Sequence, residues 1–276
     1  MRTMIRYFYL YILLTFLSFN LSSEKLDMPR GAQDKPDLNG VWQVLNSANY
    51  NIEAHSASAS MAMVEGPVVP IPHPKIVSLG AVGSVPAGLG VVEGGKIPYK
   101  KWALKKREEN RANWLERDPE IKCYLPGVPR ATYMDFPFQI FHSEEAIFFA
   151  YEYAGAVRNI LLQDPGPAPI DSWMGQSWGY WDGDTLVVNA SGFNDQTWFD
   201  RSGNFHSDKL KVTERYTLVN NHLMEYEATI VDEEVFTKPW KIKMNLYKRI
   251  GKESQLQQFK CVEFVEELLY GEWRAK

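Results

Sequence analysis

The chain has 276 residues, with 30 lysines and arginines against 34 aspartates and glutamates, and its formal charge of -4 gives no electrostatic basis for nucleic-acid binding. The basic cluster Lys100, Lys101, Lys105, Lys106 and Arg107 is met by acids just downstream, so the expected partner is small and not polyanionic. The histidines (His55, His73, His142, His206, His222) lack metal-ligand spacing, two cysteines do not make a zinc cluster, and no Walker or dinucleotide fingerprint occurs, so neither a metal nor a cofactor is expected.

Arg2 and Arg6 precede an apolar, aromatic run over residues 7–21, followed by Ser22, Ser23, Glu24 and Lys25. This order of charge, apolar run and small residues predicts a cleaved secretion signal over residues 1–23 and a periplasmic or secreted protein. The alternative is a retained anchor, since the run is near the lower limit for crossing a bilayer; no second span follows, so no membrane association is expected after cleavage. Export to an oxidising compartment makes a bond between Cys123 and Cys261 the expectation, with two separate buried thiols as the alternative.

Residues 24–97 read as an N-terminal arm. A short strand is expected over residues 37–42, behind Pro36, and the Ala, Ser, Val, Gly and Pro rich stretch 55–95 reads as a long loop or flap. Residues 98–276 follow as one domain, opening with a charged helix near residues 100–117. Trp102, Leu104, Trp114 and Leu115 are its expected apolar side, packed across a sheet.

Nine strand-like runs succeed it, at 137–142, 146–153, 157–163, 174–181, 185–191, 210–219, 222–231, 240–249 and 256–262. Trp181-Asp182-Gly183-Asp184 marks a two-residue hairpin, expected as type I′. So many consecutive strands predict a mostly β fold, an antiparallel meander that hides its edges by closing into a lipocalin-like barrel. A β-sandwich is the alternative.

Several segments carry a resemblance. They are Pro36-Asp-Leu-Asn-Gly-Val-Trp42, Gly95-Lys-Ile-Pro-Tyr99, Asp118-Pro119, Cys123-Tyr-Leu-Pro-Gly-Val-Pro-Arg130, Tyr151-Glu-Tyr153 with Arg158, residues 173–188, Gly192-Phe-Asn194 with Thr197-Trp198, and Glu214-Arg215. Together they resemble a largely uncharacterised family of exported bacterial proteins. The resemblance implies export and a mostly β fold, and attaches no reaction.

Among chemistry-bearing residues, Gly175-Gln176-Ser177-Trp178-Gly179 matches G-x-S-x-G and is followed in serine-hydrolase chain order by Asp200 and His206. Its setting in a strand running into a hairpin is wrong for a nucleophile elbow, which needs a strand, a sharp turn and a helix. Strand alternation puts Glu214 with Leu210, Val212, Tyr216 and Leu218 on the interior face, where a carboxylate must be paired or raised in pKa. Glu152 is read the same way, with Arg158 either its salt-bridge partner across a hairpin or a fork for a substrate anion. His206, in the loop before residue 210, is the candidate acid or base beside Glu214, and loops at the open end of a scaffold are where sites gather. Arg215, Trp178, Trp181 and Trp198 complete the expected substrate contacts.

The resulting expectation is an exported enzyme performing cofactor-independent acid-base chemistry, of lyase or isomerase type, on a small hydrophobic or aromatic molecule. The alternative is a non-catalytic binder of such a ligand; a filled interior would favour an envelope structural protein.

Overall fold

A computed structural model describes residues 28–59 and 84–265, with the backbone of residues 62–64 and 76–78 between them. The expected signal, residues 1–23, lies outside the described residues. The strands are β1 (Gly40–Val44), β2 (Ala62–Val64), β3 (Ile76–Ser78), β4 (Phe138–His142), β5 (Ile147–Tyr151), β6 (Val157–Leu161), β7 (Gln176–Asp182), β8 (Thr185–Ser191), β9 (Lys211–Asn220), β10 (Leu223–Val231) and β11 (Trp240–Lys248). Two helices, α1 (Lys101–Ala112) and α2 (Trp114–Arg117), lie between β3 and β4.

All strands except β2 and β3 close into a barrel, in the order β1-β11-β10-β9-β8-β7-β6-β5-β4 and back to β1. The ring is sealed by β1, which places Gln43 opposite Tyr247 of β11 and Val41 opposite Gln139 of β4. The expectation of a barrel holds, but the purely antiparallel, lipocalin-like version does not. An odd number of strands cannot alternate direction all the way round a ring, so at least one neighbouring pair must run parallel. That pair is β6 and β7, joined through Ile160 opposite Ser177 and Leu161 opposite Trp178.

The run 256–262 is not a strand. Because β1 occupies the free edges of both β4 and β11, the closed sheet has no edge left for it. This segment instead runs outside the barrel: Arg249 N–H donates to Val41 O, Gln257 N–H to Glu152 Oε2, and Phe264 N–H to Ile121 O. It is tied down by the Cys123–Cys261 disulfide.

Alternation fills the interior. Val212, Glu214, Tyr216 and Leu218 of β9 face inward with Met224, Tyr226, Ala228 and Ile230 of β10 and Trp240, Ile242, Met244 and Leu246 of β11. Trp42, Tyr133, Phe138, Phe149 and Phe199 complete this core, each stabilising the fold by roughly 1.5 to 3 kcal/mol through burial. The centre is packed with side chains.

The two ends of the barrel differ. At one end the turns are short, residues 143–146, 183–184 and 221–222. The β7–β8 hairpin is present, but its loop residues are Gly183 and Asp184, since Asp182 still pairs with Thr185. Only Gly183 has positive φ, at 60°, so the turn has the glycine-first II′ arrangement in place of type I′. At the other end lie the long connections, residues 45–137, 192–210 and 232–239.

The helix expected across the sheet rests instead on the loop at that end. Gly203, at φ 80°, lets the helix approach: a Cβ there would sit 2.7 Å from Arg107 O and 2.8 Å from Arg111 N. Ala103, Asn110 and Leu115 form the buried side, whereas Trp102 and Leu104 are exposed. The stretch read as a loop at 55–95 pairs with itself over its described parts, His55 opposite Gly88, Ser58 opposite Val85, and β2 with β3, forming an antiparallel ribbon.

Candidate functional site

Inside the barrel the alternation argument for Glu214 holds, since its side chain is fully buried. Its partner is Arg158, whose Nη2 donates to Glu214 Oε2 across the interior while Nε donates to Ser177 Oγ at 2.7 Å. Tyr216 and Tyr226 each donate to Glu214 Oε1 at 2.8 Å. Burial foremost, with the Glu214 charge added, holds both phenols far above their ordinary pKa. Tyr151 Oη and Arg158 Nη1 make no hydrogen bond of good geometry. Burial pushes the Tyr151 phenol up to about 12, partly offset by the nearby guanidinium. The constellation is a packed ion pair.

The remaining expected site residues do not gather around it. Glu152 is on the outward face, because Phe149 and Tyr151 are the residues of its strand region that point in; it accepts from Gln257 N–H at 2.8 Å and does not pair with Arg158. His206 is buried, its Nδ1–H donating to Ser207 O at 2.8 Å, which leaves Nε2 to accept from Thr197 Oγ1 at 2.6 Å. Burial lowers its pKa, so it is a neutral structural histidine with no contact to Glu214. Arg215 points outward to Asp182 at 2.9 Å. Trp178 stacks on Tyr180 on the outer wall, Trp181 packs against His142 at the short-turn end, and Trp198 is buried against the loop strand at Phe205. Nor does a serine triad assemble, because the Asp200 carboxylate accepts from Ile52, Ser202 and Asn204 and not from His206.

A cleft opens elsewhere, at the long-connection end. It measures about 530 Å³, within the size range of small-molecule sites. One wall is the base of the ribbon (His55, Ser58, Val85), another is Trp114 of α2, and the outer segment supplies Phe259, Cys261 and Val262. Tyr50, Phe136 and Tyr153 add rings, with Phe259 4.8 Å from Phe136 and 5.0 Å from Tyr153 between centroids.

The polar part of this cleft is a buried charge cluster. Glu120 accepts from Arg130 Nη2 at 2.7 Å, from Arg201 Nε at 2.7 Å and from Arg201 Nη2 at 2.5 Å. Burial pushes its pKa up, but these donors and the two arginine charges outweigh that and leave it below its ordinary value. Arg130 also donates from Nε to Asn49 Oδ1 at 2.9 Å, and Arg201 stacks over Tyr50 at 4.7 Å. Asp118 is the contrasting member. Its Oδ1 accepts from Glu120 N–H at 2.9 Å and faces Arg130 Nη1 at 3.6 Å, while Oδ2 is buried with no partner. Burial dominates and pushes its carboxyl up to about 6, with Arg130 pulling the other way.

Asp118, Glu120, Arg130 and Arg201 are not among the residues that the sequence pattern singles out for chemistry. Asp118-Pro119 and Arg130 stand in the segments quoted above, and two carboxylates two residues apart upstream of a conformationally fixed Pro-Arg were the available signal. Arg201 comes from a separate loop and only the fold brings it in. Among the described residues no cluster of three or more His, Cys, Asp or Glu is placed to hold a metal ion.

The fold and site together define a closed, mixed β-barrel with an aromatic cleft at one end. No protein family, curated protein or solved structure matches the chain.

Proposed function

We propose that this protein is an exported binder of a small hydrophobic or aromatic molecule, held in the cleft at the long-connection end of the barrel. The observation that carries this reading is the cleft itself, a space of about 530 Å³ walled by Tyr50, Trp114, Phe136, Tyr153 and Phe259 around a few fixed polar groups. The interior does not support it, because Glu214 and Arg158 are packed against each other among aromatic rings. Export rests on the leading sequence, and the Cys123–Cys261 bond is compatible with an oxidising compartment.

A second reading, acid-base turnover of the bound molecule, has one observation in its favour. Asp118, raised to about 6, is closer to neutrality than an ordinary carboxyl, as a proton-transfer group requires. It moves the candidate chemistry from Glu214, His206 and Glu152 to the cleft.

A thermal-shift screen of small aromatic and lipid-like compounds tests the binding reading. Hits are expected to stabilise the native protein and to lose their effect in Trp114→Ala, a half-buried wall residue, while keeping it in Trp178→Ala on the outer wall. Hits insensitive to Trp114→Ala would contradict it. Turnover of those hits, lost in Asp118→Asn, would promote the second reading.

A further inference from the structure

We propose that the cleft selects small aromatic molecules that donate hydrogen bonds, through a phenolic O–H or an amino N–H, with Asp118 Oδ2 as the principal acceptor and His55 Nε2 as a second. This deepens the binding reading above and rests on it.

The charged donors around Glu120 are largely committed. Arg201 spends Nε and Nη2 on Glu120, and Arg130, behind the cleft wall, spends Nε on Asn49 and Nη2 on Glu120 while its Nη1 faces Asp118 at 3.6 Å. Glu120 is filled by those same two arginines. An anionic ligand head would compete with Glu120 for Arg201, and Arg111, the other arginine lining the cleft, is exposed at the rim where solvent screens it.

Unfilled acceptors remain. Asp118 is 1% exposed, lines the cleft, and its Oδ2 has no partner. A buried carboxylate oxygen left without a donor is costly, so a ligand group that donates to it gains more than one that merely fills space. His55 also lines the cleft. Its Nδ1 lies 2.8 Å from Glu53 O, a contact that needs the hydrogen on Nδ1, so in the neutral ring the buried, unpartnered Nε2 is a lone pair. Two unfilled acceptors beside five aromatic side chains describe the complement: a flat ring bearing O–H or N–H.

The test is calorimetric titration of the native full chain with 4-ethylphenol, 4-ethylaniline, 4-ethylanisole and 4-ethylbenzoate. These probes share a ring and an ethyl group and differ in whether the head donates, only accepts, or is anionic. The phenol and aniline are expected to bind about tenfold or more tighter than the anisole, the usual consequence of leaving a buried acceptor unpaired. Asp118→Asn is expected to shrink that ratio to within about twofold, and His55→Phe to reduce it less. Because Asp118→Asn could weaken folding through Arg130, the ranking on the native protein is decisive alone. Equal binding of phenol and anisole, or tighter binding of the benzoate, overturns the donor inference while leaving the cleft reading standing. Failure of all four probes to bind overturns both.

Discussion

Glu214 shows what a single position can reveal and what it cannot. Its place among Val212, Tyr216 and Leu218 announces an inward carboxylate, because strand period fixes its face. Its partner was not legible: Arg158 is on β6, and the two meet only because the ring closes across β7 and β8. Breaking such a pair strands a buried charge. Glu214→Leu or Arg158→Met alone is expected to cost roughly 3 to 5 kcal/mol in urea unfolding, and the double variant less than either single change. Asp118 carries a pH signature. Its folded pKa, about 6, exceeds the ordinary 3.8, so between about pH 4 and 6 the native state holds a proton that the unfolded chain has released. Its contribution therefore destabilises fully above pH 6 and is relieved as the pH falls toward 4. Relative to Asp118→Asn, the parent should gain about 1 kcal/mol between pH 7 and pH 5 in paired urea titrations; no change in the gap would contradict the assignment. Asp200, also raised to about 6 by burial, adds the same slope to both proteins and cancels.

The elements most clearly written in the sequence are those whose alternation is long, β8 to β11, each within about two residues of its expected bounds. Two elements differ from their expected form for definable reasons. The run 256–262 has strand composition, but pairing needs an edge, and closure by β1 removed it. The ribbon at 55–88 lacks hydrophobic alternation, and its bridges at His55 and Ser58 are backbone contacts that composition does not encode. The helix has its bounds nearly right and its buried side wrong, since it meets the loop at Gly203 through Arg107, Asn110 and Arg111, and only Ala103, Asn110 and Leu115 of its length are buried. The outer C-terminal segment gives the element-scale prediction. The disulfide spans 138 residues, and in the chain-entropy model its removal costs about 5 kcal/mol. Cys123→Ala/Cys261→Ala should thus lower the unfolding midpoint and speed proteolytic cutting between residues 250 and 262. It should also weaken binding of cleft ligands, because Phe259 and Val262 form a wall. Unchanged proteolysis would show that backbone hydrogen bonds alone hold the segment.

At the scale of the molecule, closure and the position of the cleft follow from one topological fact. Three tight turns gather at one end, and the long connections lie at the other with the five-residue turn 152–156, so the filled barrel acts as a rigid base on which loops from distant parts of the chain build a concave surface. Mostly β character and closure were legible from the number of strands; the odd count, and with it the need for a parallel pair, depended on 256–262 staying out of the ring that β1 closes, since both together would have made ten. The site was less legible than the fold, because its walls come from residues 50–59, 84–85, 111–121, 136, 153, 201–202 and 259–262. The central claim is that ligand binds at this end and not inside the barrel. Amide chemical-shift mapping with 4-ethylphenol tests it most directly: the largest changes are expected at Tyr50, His55, Trp114, Asp118, Tyr153 and Phe259, with β9 and β10 around Glu214 unmoved. Changes centred on Glu214, Tyr216 and Tyr226 would contradict it.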